Sequence, residues 1–80
     1  MSNIEKLIER LRSRPTDMRF ADVVRVLENF GWMLDRCKGS HRVFVKEGSP
    51  ARITIPEDHH MVKRFYLTEV ARLLAEGGYQ

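Results

Sequence analysis

The residues in this chain best suited to chemistry are Lys38-Gly39-Ser40-His41-Arg42. They lie between two short apolar-rich runs, Trp32-Met33-Leu34-Asp35-Arg36-Cys37 and Val43-Phe44-Val45. Both runs read as strands, and Gly39-Ser40 reads as the turn between them. A hairpin turn is exposed, so an imidazole at its exit meets solvent and the cations Arg36, Lys38 and Arg42. An unperturbed imidazole titrates near pH ~6.5 and can both accept and release a proton at neutral pH. Cleavage of an RNA phosphodiester needs both. A base removes the ribose 2′-hydroxyl proton, the oxygen attacks phosphorus, and an acid protonates the leaving 5′-oxygen. The negatively charged transition state is stabilised by nearby cations. Lys38, Arg42 and, from the last helix, Lys63 could supply them, with Arg36 if it shares their face. On spacing alone, an ordinary surface histidine at a turn is the plainer reading of His41.

Other constellations carry less. Glu57-Asp58-His59-His60 groups potential metal ligands, but no second ligand cluster exists in the sequence and Cys37 is remote from it. A polar loop shaping a neighbouring site is the simpler account, and no metal or cofactor is expected. Gly39 belongs to no glycine-rich run before a helix, so a phosphate-binding loop is not indicated. Ser40 beside His41 lacks an orienting acid and an oxyanion site, and adjacent strand residues point to opposite faces. Trp32, Phe44, Phe65 and Tyr66 could stack on bases. At least three of the four are better placed in the core, since each falls in an apolar stripe or strand.

The elements that must position the turn follow from periodicity. Ile4, Leu7, Ile8 and Leu11 share one face of a helix over residues 2–14, with Ser2 and Glu5 at capping-box spacing. Lys6, Glu9, Arg10 and Arg12 form its solvated side, and Pro15 ends it. Thr16-Asp17-Met18 reads as a connection. Phe20, Val23, Val24 and Leu27, widened by Val26 and Phe30, predict a second helix over 20–30, with Gly31 as a left-handed cap. Three strands follow, Trp32 to Lys38, His41 to Lys46 and Arg52 to Ile55, with turns at Gly39-Ser40 and Glu47-Gly48-Ser49-Pro50. A last helix runs from Val62 or Lys63 to Glu76 with Tyr66, Val70, Leu73 and Leu74 as its stripe, and Gly77-Gly78 stops it.

This order, α-α-β-β-β-α, makes an α+β domain whose antiparallel meander is covered on one face by the second and third helices. Alternation puts His41, Val43 and Val45 on one face, and Arg42, Phe44 and Lys46 on the other. Phe44, the largest, is expected inward, which leaves His41 on the open face. The first helix must bury its stripe at the domain's edge, on a second copy or on another protein.

Eighty residues allow one domain, 1–80, with a modest core. The 42% hydrophobic and 31% charged composition argues against disorder. A net charge of +3 is compatible with nucleic acid without requiring it. A single cysteine, Cys37, excludes an internal disulfide and reads as a small hydrophobe in a strand. No apolar run reaches membrane-span length, and the start lacks the layout of a signal peptide, so the cytoplasm is the expected compartment.

The order of motifs resembles one family. Phe20-Ala21-Asp22-Val23-Val24-Arg25-Val26-Leu27-Glu28-Asn29-Phe30-Gly31-Trp32, then Lys38-Gly39-Ser40-His41-Arg42-Val43-Phe44, Ile53-Thr54-Ile55-Pro56 and Val62-Lys63-Arg64-Phe65-Tyr66-Leu67 are similar to the HicA (YcfA-like) toxins of bacterial and archaeal toxin–antitoxin pairs. The likeness covers about residues 20–76 and leaves 1–19 as an N-terminal helical extension. It implies a double-stranded-RNA-binding-domain-like α-β-β-β-α fold with a three-stranded antiparallel sheet. It also implies a metal-independent endoribonuclease, an mRNA interferase, with His41 as the catalytic residue. Lys38, Gly39, Ser40, Arg42 and Lys63 would contact RNA, and a HicB-type antitoxin would cover the site. A homodimer and an antitoxin-bound hetero-oligomer both stay open. Two readings compete: a non-catalytic RNA-binding module of the same fold, and a protein-interaction module docking through its first helix.

Overall fold

A computed structural model describes residues 3–76. The expected cap at Ser2 and the stop at Gly77-Gly78 lie outside the described residues. The order is α1 (Asn3–Arg12), β1 (Asp17–Arg19), α2 (Phe20–Asn29), β2 (Trp32–Lys38), β3 (His41–Lys46), β4 (Arg52–Pro56), β5 (Met61–Lys63) and α3 (Arg64–Glu76). The fold is α+β, with the three-stranded antiparallel sheet in the order β2-β3-β4. The helix–sheet–helix unit over α2, β2, β3, β4 and α3 is the α-β-β-β-α arrangement of the double-stranded-RNA-binding-domain-like class, with α1 added in front.

Each apolar stripe ends where period and burial demand. Val23, Val26 and Leu27 of α2 are fully buried, and Leu67, Val70 and Leu74 of α3 nearly so. They meet Phe44, Ile53 and Ile55 from the sheet and Trp32 from the start of β2. Phe44 has no solvent-accessible surface, and its cross-strand partners are Leu34 and Ile53. Residues directly opposite in a sheet share a face, so this register defines a helix-covered side. Gly31 sits at φ 91° behind α2, the left-handed conformation a helix C-terminus favours and a Cβ resists.

The first helix does not need a second molecule to bury its stripe. Leu11 is fully buried in the common core, and Ile4, Leu7 and Ile8 pack against it. The chain leaves α1 through Arg14 at φ 57°, in the left-handed region, immediately before Pro15.

Contrary to expectation, Thr16-Asp17-Met18 is not a plain connection. Asp17–Arg19 forms β1 and pairs antiparallel with β5, with Asp17 opposite Lys63, Met18 opposite Val62 and Arg19 opposite Met61. Such short strands carry too little alternation to register in a sequence, and each runs straight into a helix. The ribbon nevertheless ties the starts of both long helices together. Met18 and Val62 bury beneath it. The Arg64 N–H donates to the Thr16 carbonyl at 2.9 Å, and the Phe20 N–H donates to the His60 carbonyl at 2.8 Å. The second bond serves where Arg19, the residue before α2, makes no side-chain cap.

The core places Phe44 at its centre and leaves Phe65 70% exposed. Phe44→Ala is therefore expected to lower stability by about 3–5 kcal/mol, read from urea unfolding midpoints. Phe65→Ala should change it by less than about 0.5 kcal/mol.

Candidate functional site

The turn forms from a local necessity. Lys38 and His41 are paired across Gly39 and Ser40, so the strands reverse most readily through a primed turn. Gly39 takes φ 60°, positive at the first central position as in a type II′ turn, and no atom lies within 4 Å of where its Cβ would be. The glycine is there for its backbone rather than for clearance.

His41 is exposed on the sheet face that the helices leave uncovered. Its cross-strand partners are Lys38 and Pro56, and the same face carries Val43 with Arg36 and Thr54, then Val45 with Met33 and Arg52. Strict alternation along β2 would put Arg36 and Lys38 with Trp32 and Leu34. A bulge between Leu34 and Arg36 adds one residue, Asp35, and shifts the register so that both cations join His41. Asp35 stays beside them, 3.2 Å from Arg36 and 3.7 Å from Arg52. These pairs are solvent-exposed and hold the cations only weakly.

Arg42 points the other way. It lies on the helix-covered side, where one guanidinium nitrogen donates to the Gly39 carbonyl at 2.7 Å and another is 3.1 Å from a Glu57 carboxylate oxygen. Its guanidinium carbon stands 6.0 Å from the centroid of the Phe20 ring. The Arg42 and Glu57 side chains are 23% and 16% exposed, so this pair is partly desolvated. Its contacts serve the turn from beneath.

Glu57 is the residue that sequence reasoning missed. Its N–H donates to the Ser40 carbonyl at 2.8 Å. One carboxylate oxygen meets Arg42 and the other lies 3.1 Å from His60 Nδ1. Glu57 thereby joins the turn before His41 to the segment after β4. That segment is a tight hairpin, not an open loop. Asp58 and Met61 exchange both backbone hydrogen bonds at 2.9 Å, and His59 and His60 fill the centre at φ 51° and 67°. Positive φ at both central positions is the type I′ pattern, which Asn-Gly usually occupies. The only sequence signal for Glu57 was its place directly after Pro56, where a strand ends.

Lys63 on β5 is exposed and 3.2 Å from Asp58. It shares a cavity of about 360 Å³ with Ser40, Pro56, Glu57, Asp58 and Tyr66. The structure therefore divides the expected site residues by place. Lys38 and His41 share the open face, Ser40 and Lys63 border a cavity at the sheet's end, and Gly39 and Arg42 shape the turn between. Trp32 and Phe44 are in the core and Tyr66 packs against it, while Phe65 is outside. Among the described residues, no three His, Cys, Asp or Glu side chains converge as a metal-ligand group. Away from the site, Arg72 bridges Glu69 and Glu76; hydrogen bonding to Glu69 and the two carboxylate charges hold its guanidinium above its ordinary value.

An exposed imidazole on the open face of a small helix-backed sheet defines a class of compact domains that present one sheet surface to a partner or substrate. Comparison with known proteins gives that class a family. A family model described as the HicA toxin of bacterial toxin–antitoxin systems matches residues 20–75, and the chain belongs to that family. It is thus the toxin component of a toxin–antitoxin system, which implies an antitoxin partner. No curated protein and no solved structure matches the chain. No described helix is long and apolar enough to cross a membrane.

The partly buried pair makes Glu57 testable on its own. Glu57→Ala strands Arg42 without a counter-charge and releases the segment after β4. It is expected to cost about 1–3 kcal/mol and to speed hydrogen exchange at the residue 57 amide by the corresponding factor.

Proposed function

We propose that this protein is a metal-independent endoribonuclease, an mRNA interferase acting in the cytoplasm, with His41 as general acid/base. The observation that carries the reading is the place of His41. It is exposed on the uncovered face, directly opposite Lys38, with Arg36 further along the same pair of strands. A catalytic imidazole must reach a backbone that lies on the protein, and here no element of the described chain stands over it.

The chemistry follows from those neighbours. Neutral His41 takes the 2′-hydroxyl proton as that oxygen attacks the adjacent phosphorus. Lys38 and Arg36, and Lys63 from the end of the sheet, offset the charge that builds on the non-bridging oxygens. Breaking the bond to the 5′-oxygen leaves a 2′,3′-cyclic phosphate, and the imidazolium returns its proton to the leaving oxygen directly or through a water. Gly39 and Ser40 let the phosphate backbone approach the turn, while Arg42 adds positive charge from beneath and holds the Gly39 carbonyl. A HicB-type antitoxin fits the same face, because covering His41 would block every step.

His41→Ala is expected to abolish RNA cleavage and growth arrest on induced expression, with an unchanged unfolding midpoint. Full activity in that variant would overturn the assignment. Wild-type cleavage should persist in excess chelator and leave cyclic phosphate ends. Salt-sensitive RNA binding without any product would instead identify a non-catalytic RNA-binding module.

A further inference from the structure

Phe65 is the one large aromatic side chain among the described residues that is mostly in water, 70% exposed on the first turn of α3. It is not isolated. Its ring meets the Tyr66 ring edge-on, with centroids 5.0 Å apart and planes at 85°. Tyr66 lines the cavity of about 360 Å³ that also touches Ser40 of the turn and Pro56, the cross-strand partner of His41. The aromatic pair therefore spans from open solvent to the edge of the proposed catalytic turn.

The lining of this cavity selects among RNA parts. Two carboxylates, Glu57 and Asp58, border it together with the Ser40 hydroxyl and one cation, Lys63. Glu57 is occupied by Arg42 and His60, whereas Asp58 is 48% exposed and faces only exposed partners, Lys63 and His59. A phosphate placed inside would meet both acids. A nucleobase would meet a π-surface on one side and hydrogen-bond acceptors at its edge. Carboxylates accept from exocyclic amino groups, which cytosine, adenine and guanine carry and uracil lacks. The volume falls within the roughly 300–1,000 Å³ of ordinary ligand clefts. Lys63 at the rim is placed for the phosphate that follows the base.

We propose that the cavity between the turn and α3 takes one unpaired nucleobase of the RNA, stacked on the Phe65–Tyr66 pair and read by Asp58 in favour of amino-bearing bases. The proposal rests on the ribonuclease reading and adds a base subsite beside the scissile phosphate. Base–aromatic stacking tolerates any base, so Phe65 contributes affinity and Asp58 contributes preference.

The test uses the His41→Ala chain, which keeps RNA intact, and short single-stranded RNAs followed by fluorescence anisotropy. Adding Phe65→Ala should weaken binding roughly tenfold or more, and Phe65→Trp should retain it. An abasic nucleotide at the recognised position should erase the difference between His41→Ala alone and the double variant that also carries Phe65→Ala. Asp58→Asn should narrow the preference for amino-bearing bases over uridine while leaving binding of uridine-only RNA within a few-fold. Equal binding with and without Phe65→Ala, or an equal loss on abasic RNA, overturns the base subsite while the ribonuclease reading stands. So does a Phe65→Ala chain that binds RNA normally but loses its antitoxin, which would assign the ring to a protein interface. If the wild-type chain neither binds nor cleaves any RNA, the ribonuclease reading itself fails and the subsite falls with it.

Discussion

The burial of Phe44 is the constraint on which the rest depends. A strand alternates its side chains with a period of two, so fixing one residue fixes all its neighbours. With Phe44 beneath the helices, Arg42 must also lie on the covered side and His41 must face outward. The orientation of the imidazole is thus a consequence of where the largest apolar side chain finds its partners. A slip of one residue would bury His41 and expose Phe44, and the loss of core burial makes that register unfavourable by about 3–5 kcal/mol or more.

Two local devices then convert an exposed histidine into a candidate site. The bulge at Asp35 reverses the faces of β2 beyond Leu34, so Arg36 and Lys38 stand with His41 rather than over the core. Glu57 works from the other side: its backbone holds Ser40 and its carboxylate holds Arg42 and His60. Arg42 in turn holds the Gly39 carbonyl. The turn is clamped from beneath by a partly desolvated pair, while its upper surface stays open. An exposed pair such as Lys63–Asp58 contributes far less to rigidity but leaves its members accessible.

The paired ribbon of β1 and β5 explains why the cavity beside Lys63 has a definite shape. It anchors the first residue of α2 to His60 and the first residue of α3 to Thr16. The His59-His60 turn is thereby held in a left-handed conformation that non-glycine residues adopt at a cost of about 1 kcal/mol each. Phe65 follows directly, on the side of α3 turned away from the core.

The sequence by itself determined the three helices, the three-stranded meander, most of the core and the family. Helical and strand periods are visible across those longer elements, and glycine and proline mark their ends. It also determined that His41 and Arg42 occupy opposite faces, since they are adjacent on one strand. Only the tertiary structure decided the rest. The bulge at Asp35 depends on pairing with β3, and nothing in Trp32–Lys38 alone marks the extra residue. The β1–β5 ribbon joins segments remote in the sequence and too short to carry a period. The role of Glu57 arises from contacts to Ser40, Arg42 and His60, which come together only when β3 and β4 are side by side. The exposure of Phe65 is set by the angle at which α3 leaves β5, so its neighbour Tyr66 turns to the core while Phe65 remains in water.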